Sequence, residues 1–372
     1  MLSLLALAGV VAVFLIVTPQ GRAGYHTAFF VLQVLDLGIR PQSWFTLEPV
    51  REEVTYPQAS GEGVADVYQV PGKTRQAAVL IFLGANAAGR NDKDVVNLGE
   101  SLARAGFVTM FHWSPTMALT HNIDPAEVDN LVHAFLYLRS REFVDQDRVG
   151  MGGFCVGASF ALVAASDPRI RDDVVFVNAF GPYFDARDLL VQVASRSSFY
   201  EDARESWEPD RLTMQVLGNE LIETIEDPLA KEALYRHYVA GQSEGPGSLN
   251  RLPSDARTVR RILDGATSAE AEDLYHSLPE TFRSEMKTIS PNAHVNGLRA
   301  KVMLMHTQGD RLIPVAESRR MADWLETRGD YRYTEVLAFD HVRPDSTGDL
   351  WFIGKEAFKL YRHMYGIIRE AV

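Results

Sequence analysis

The chain carries one cysteine, Cys155, placed between two glycines in the stretch VGMGGFCVGASFAL at residues 149–162. A lone thiol is either a small buried hydrophobe or a nucleophile. Gly153-Phe154-Cys155-Val156-Gly157 falls where an apolar run gives way to small residues, the strand-to-helix corner at which a nucleophile elbow usually holds serine. The spacing has a physical cause. On so tight a turn the positions two before and two after the nucleophile must lack bulk, because strand and helix approach there. The sulfur then projects above the strand end, and the N–H groups that open the helix favour a thiolate and an oxyanion.

A nucleophile of this kind needs a base and an acid that orients it. Gly309-Asp310 follows the apolar run KVMLMHTQ, and His341 follows YTEVLAF. Nucleophile, acid, histidine is the chain order of one family of catalytic triads, and each residue falls at the carboxyl end of a strand, where ligands bind in open α/β sheets. Asp340 adjoins His341, but a sequence neighbour rarely points at the ring, so Asp310 is the preferred acid. His341 would take the proton from Cys155, a standing thiolate–imidazolium pair being one form of this, and return it to the leaving group. Asp310 would fix the imidazole tautomer.

The oxyanion hole is expected from the backbone N–H of Val156 and one from the loop GANAAGRND at residues 84–92, with Ala85 the first choice and Asn86 next. Arg90 and Asn91 stand where a phosphate-binding loop would have Lys and Ser or Thr, which argues against nucleotide binding. His112 and His121 follow the run FVTMF and could meet substrate or simply be packed; His306, inside a strand, reads as a core histidine with a satisfied hydrogen bond. No pair of histidines has zinc-site spacing with a carboxylate, so neither metal nor cofactor is expected.

The elements that must position these residues are readable. AAVLIFL at 77–83, FVTMF at 107–111, RVGMGG at 148–153, DVVFVNAF at 173–180, KVMLMHT at 301–307 and RYTEVLAF at 332–339 read as strands, mostly apolar throughout as in a parallel sheet. VADVYQV at 64–70 alternates and reads as an early, half-exposed strand. Helical spacing fills the gaps at 95–106, 125–140, 156–168 and 315–329. Strands alternating with crossover helices imply an α/β fold with a doubly wound, mostly parallel sheet. Between residues 181 and 297 the rhythm gives way to helical windows, expected to be an inserted helical cap over the strand ends.

The chain has 372 residues, 46% hydrophobic and 23% charged, with a net charge of −12. That balance suits a globular core and excludes a basic nucleic-acid groove. One cysteine excludes an internal disulfide and a multi-cysteine metal site. Residues 2–17, LSLLALAGVVAVFLIV, carry no charge and are about one membrane span long. They read as a membrane anchor within residues 1–22 or, if cleaved near GRA at 21–23, as an export signal. The arginines that follow, Arg22, Arg40 and Arg51, favour the cytoplasmic side for the body. Residues 23–60 read as an amphipathic and linker segment.

Taken together, GGFCVGA, QGDRLIP and FDHV make the chain resemble the α/β-hydrolase superfamily, and within it the dienelactone hydrolase-like group, whose elbow also carries cysteine. The resemblance implies a hydrolase core over residues 61–180 and 298–372; it does not extend to the helical cap expected at 181–297 or to the N-terminal hydrophobic helix. It implies hydrolysis of an ester, lactone or thioester of a small acyl substrate through a Cys155 acyl-enzyme. Members of the group use a glutamate on the strand before the oxyanion loop to control the thiol; here that strand, VLIFLGAN, has no acidic residue. A thioester intermediate also yields to amines, so an acyltransferase is the alternative, and a non-catalytic membrane-associated scaffold is the second.

Overall fold

In the computed structural model the residues described are 13–35, 40–59, 61–85, 88–242, 251–337, 339–340, 343–344 and 350–372. Strands β1 (Val50–Gln58), β2 (Gly61–Gln69), β3 (Gln76–Phe82), β4 (Phe107–Trp113), β5 (Val144–Phe154), β6 (Val174–Phe180), β7 (Lys301–Thr307) and β8 (Tyr331–Val336) form one sheet. Their order is β1-β2-β4-β3-β5-β6-β7-β8. The first three in that order pair antiparallel, and all the others pair parallel, so β3 to β8 point their carboxyl ends to one edge. Strand β3 is buried along its whole length, as a strand covered on both faces must be.

Helices cover both faces. One side carries α1 (Pro19–Val34) and α2 (Lys93–Ala105); the other carries α3 (Glu127–Arg139) and α4 (Val156–Ala164). Further along come α5 (Arg211–Glu223) in the insertion, α6 (Val315–Glu326) and α7 (Leu350–Ile368). Phe30, Val31, Leu102, Phe107, Met364 and Ile367 share one core with α1, α2 and α7, while Leu131, Phe135, Phe160, Met151 and Met321 share the other with α3, α4 and α6. The doubly wound reading is thus the observed architecture. Between β6 and β7 the described residues make helices and one short hairpin, Ser197–Tyr200 with Ala203–Ser206.

The reading of the N-terminal segment needs correction. Thr18 interrupts the helical residues 13–17 and caps the helix that follows, its side chain accepting from the Gly21 N–H, with Pro19 in the first turn. Helix α1 buries Ala23, Thr27, Phe30 and Val31 against the body. The supposed linker also holds β1, whose VREEVTYPQ is charged and ends near a proline because it is an edge strand with one face in water. The core therefore begins before residue 61. Residues 1–12 of the expected anchor lie outside the described residues, and among those described no helix is long and apolar enough to cross a membrane.

Candidate active site

Cys155 occupies the corner between β5 and α4 with φ 53° and ψ −129°, a conformation that side chains other than glycine rarely adopt. Its own N–H is held by the Phe180 carbonyl of β6 at 2.8 Å. The flanking glycines are required by contact. A Cβ on Gly153 would lie 2.5 Å from the Gly157 carbonyl oxygen, and one on Gly157 would lie 2.3 Å from the Phe82 oxygen and 2.6 Å from the Gly84 nitrogen. Elbow and β3 end are thus in direct backbone contact, which sets Gly84-Ala85, the start of the loop expected to supply an oxyanion N–H, beside the N-terminus of α4. Ala85 is buried there; Asn86 lies outside the described residues.

The thiol is half-buried, and its surroundings favour the protonated form. Burial pushes it up to about 12, the Asp310 carboxylate adds to the shift, and the Val156 N–H, which hydrogen-bonds the sulfur, opposes it. A standing thiolate is therefore not what the described groups favour, because the helix N-terminus is outweighed by desolvation and a nearby negative charge. Tyr183 is buried close by, and burial first and the Cys155 charge second raise its hydroxyl well above its ordinary value. That hydroxyl donates to the Ile289 carbonyl at 2.9 Å, so it is tied down as structure.

Asp310 sits in the turn after β7. Its Oδ1 accepts the N–H groups of Leu312 at 2.6 Å and Ile313 at 3.2 Å, which fixes the carboxylate toward the end of β6, where Gly181 leaves room for it. Its Oδ2 is 3.4 Å from Nε2 of His306. His306 itself is fully buried, its Nε2 donating to the Ile313 carbonyl at 3.0 Å and its Nδ1 2.6 Å from the Ser318 hydroxyl. Of the three expected triad members, Cys155 and Asp310 both stand at the carboxyl edge, near enough for the carboxylate to act on the thiol; His341 lies outside the described residues.

The insertion lies over the same edge. The Trp207 indole donates to the Asp310 carbonyl at 2.7 Å, the Asp210 N–H to the Arg311 carbonyl at 2.7 Å and Thr213 to the Leu312 carbonyl at 2.8 Å. On the β4 side, Asn219 of α5 donates to the Thr120 carbonyl at 2.9 Å, and Glu220 accepts the Ile123 N–H at 2.6 Å. Burial pushes the Glu220 carboxyl up to about 7 against the pull of that hydrogen bond.

Two buried polar clusters flank the site. His112 is packed and hydrogen-bonded, its Nδ1 2.5 Å from the Tyr56 hydroxyl and its Nε2 2.6 Å from Glu127, which settles between its two readings. The second cluster was not anticipated. Asp66 of β2 is 1% exposed and accepts from Arg90 Nε at 2.9 Å and Nη2 at 2.7 Å, from Arg51 at 3.0 Å and from the Trp113 indole at 2.8 Å. Burial alone would raise its carboxyl, but these hydrogen bonds hold it below the ordinary carboxylate value. The available signal was an acid inside VADVYQV at a position the sheet buries.

Strand order, elbow and flanking helices define an α/β-hydrolase fold. Among solved structures, dipeptidyl peptidase 4 of Porphyromonas gingivalis shares it with a TM-score of 0.50 at 11% identity, over 88% of this chain and 37% of that one. An esterase of Pyrobaculum calidifontis aligns at 15% identity and TM-score 0.47, covering 94% of this chain and 92% of that chain. A thermophilic carboxylesterase from a metagenomic library aligns at 16% identity and 0.47, covering 95% and 98%. No protein-family model matches the chain. A curated Bradyrhizobium sp. protein, described as a probable 2-oxo-3-(5-oxofuran-2-ylidene)propanoate lactonase, is 31% identical over 116 residues, 27% of this chain and 46% of the relative. The chain thus matches just under half the length of that relative.

Proposed function

We propose that this protein hydrolyses carboxylic esters or lactones through a thioester acyl-enzyme on Cys155. The observation that carries the reading is the backbone of Cys155 itself, held at φ 53° and ψ −129° with the oxyanion segment packed against its helix. A small buried hydrophobe has no need of such strain. The likeness to a lactonase supports a lactone or enol ester among the substrates.

With the thiol pushed up to about 12, little thiolate exists at neutral pH, so a base must remove the proton during attack. His341 takes that role, with Asp310 holding its imidazole. The sulfur bonds the carbonyl carbon, and the oxyanion is met by N–H groups of Val156 and of the segment beginning at Ala85. The C–O bond to the leaving group breaks, and the leaving oxygen takes the proton from His341. Water, deprotonated by the same histidine, then cleaves the thioester and restores the thiol.

The test is incubation with p-nitrophenyl acetate and butyrate and with a five-membered enol-lactone, followed by intact-mass and peptide mass spectrometry. An acyl adduct on Cys155, turned over by water and absent in Cys155→Ala, is the expected result. A folded protein that gives no adduct with any donor overturns the reading in favour of a non-catalytic scaffold. An amide product when glycine is added would replace hydrolysis by acyl transfer.

A further inference from the structure

We infer that Asp66 is a positioning residue for the oxyanion loop, acting on it through Arg90 and Arg51. The inference rests on the reading that the segment after β3 supplies an oxyanion N–H. That loop has two ends. The near end is fixed by backbone contact, Gly84 against Gly157. The far end is fixed by side chains. Arg90 makes a two-point contact with Asp66 and reaches Glu53 of β1 at 2.6 Å. Arg51 of β1 bridges Asp66 at 3.0 Å and the Asn91 amide oxygen at 2.9 Å. Asp92 then caps α2, accepting the Asp94 N–H at 2.9 Å.

A carboxylate buried inside a strand is costly unless it is fully paired. Asp66 draws two of its donors from Arg90, on the loop, and only one each from Arg51 of β1 and Trp113 of β4. The planar two-point geometry fixes direction as well as distance. The cluster opens onto a cavity of about 350 Å³ lined by Arg51, Glu53, Asp66, Arg90 and Asn91. There the two arginines face two carboxylates, so no net charge remains to recruit a ligand. What the charges accomplish is to tie residues 90 and 91 to the two antiparallel strands at the sheet edge.

The test separates the loop from the thiol. Iodoacetamide alkylates Cys155 without forming an oxyanion, whereas ester acylation requires one. Asp66→Asn is expected to slow acylation by p-nitrophenyl acetate about 10- to 100-fold, on the scale of a weakened oxyanion donor, with KM nearly unchanged and the alkylation rate within about twofold. Amide hydrogen exchange should rise across residues 83–92 and stay unchanged across the elbow at 149–162. Arg90→Gln, which leaves Asp66 its Arg51 and Trp113 donors, should give the same pattern if Asp66→Asn fails to fold. Unchanged exchange across 83–92, or acylation and alkylation falling together, overturns the inference. If the wild-type protein alkylates but is acylated by no ester, the hydrolase reading fails while the exchange measurement still decides whether the clamp exists.

Discussion

The two ends of the loop after β3, proposed to supply an oxyanion N–H, are held by different physics. At the near end, Gly84 and Gly157 touch through backbone atoms, and a single added Cβ on either would lie 2.5 Å or less from the other segment. At the far end, residues 90 and 91 are held by ion pairs and hydrogen bonds from two other strands. Backbone contact is rigid and independent of pH or salt. Paired charges, partly exposed as Arg51 and Arg90 are, answer to both. In the proposed site the nucleophile is thus fixed and the hole adjustable, and the two should fail differently when disturbed.

The largest effect belongs to the fixed half. Cys155→Ala should abolish covalent acylation, a loss of at least about 1,000-fold, in a protein whose thermal unfolding is little changed; residual turnover at wild-type rate would end the comparison by removing the nucleophile. Asp310→Asn should produce two changes of opposite sign. The carboxylate raises the thiol, so neutralising it lowers the thiol from about 12 and speeds iodoacetamide alkylation at pH 8. Ester turnover should fall by about 100-fold or more, because the histidine loses its orienting acid. Both rates moving together would show that Asp310 acts on the fold and not on the site.

Gly157→Ala comes next. Its Cβ would meet the Phe82 oxygen at 2.3 Å and the Gly84 nitrogen at 2.6 Å, both backbone atoms that cannot rotate away. The expected cost is about 2–4 kcal/mol of stability by urea unfolding, alongside lost acylation. Arg90→Gln takes two of four donors from a buried carboxylate, so it should also cost stability, about 1–3 kcal/mol. The ends are then told apart by the thiol: alkylation of Cys155 should change in Gly157→Ala and stay within about twofold in Arg90→Gln, and an equal change in both would erase the distinction.

The same distinction explains what was legible in the sequence. The elbow could be read because sterics at a tight corner restrict residue types within a few positions, so Gly153, Cys155 and Gly157 announce themselves. Asp310 could be read because it directly follows a strand that burial on both faces makes apolar. Strands β3, β6 and β7 were legible within a residue or so for the same reason. Strand β1 and the Asp66 clamp were not, since an edge strand tolerates charge and an ion pair between residues 66 and 90 leaves no local periodicity. The pairing of Glu220 with Ile123 spans an even longer separation.

Glu220 gives the smallest and most specific prediction. It joins α5 of the insertion to the loop after β4 through the Ile123 N–H, a side-chain-held contact like those of Asp66, but here burial raises the carboxyl to about 7. An acid raised on folding from its ordinary 4.5 keeps, between those two values, a proton that the unfolded chain has already released. Stability therefore falls as pH rises from about 4.5 to 7, and the full cost is present above 7. Glu220→Gln keeps an oxygen for Ile123 and removes the titration. It should unfold at higher urea than the wild type at pH 8, by about 1–2 kcal/mol, and match it at pH 4. A difference of the same size at both pH values would mean that packing, not charge, closes the seam between insertion and core, in contrast to the charge-held far end of the loop after β3.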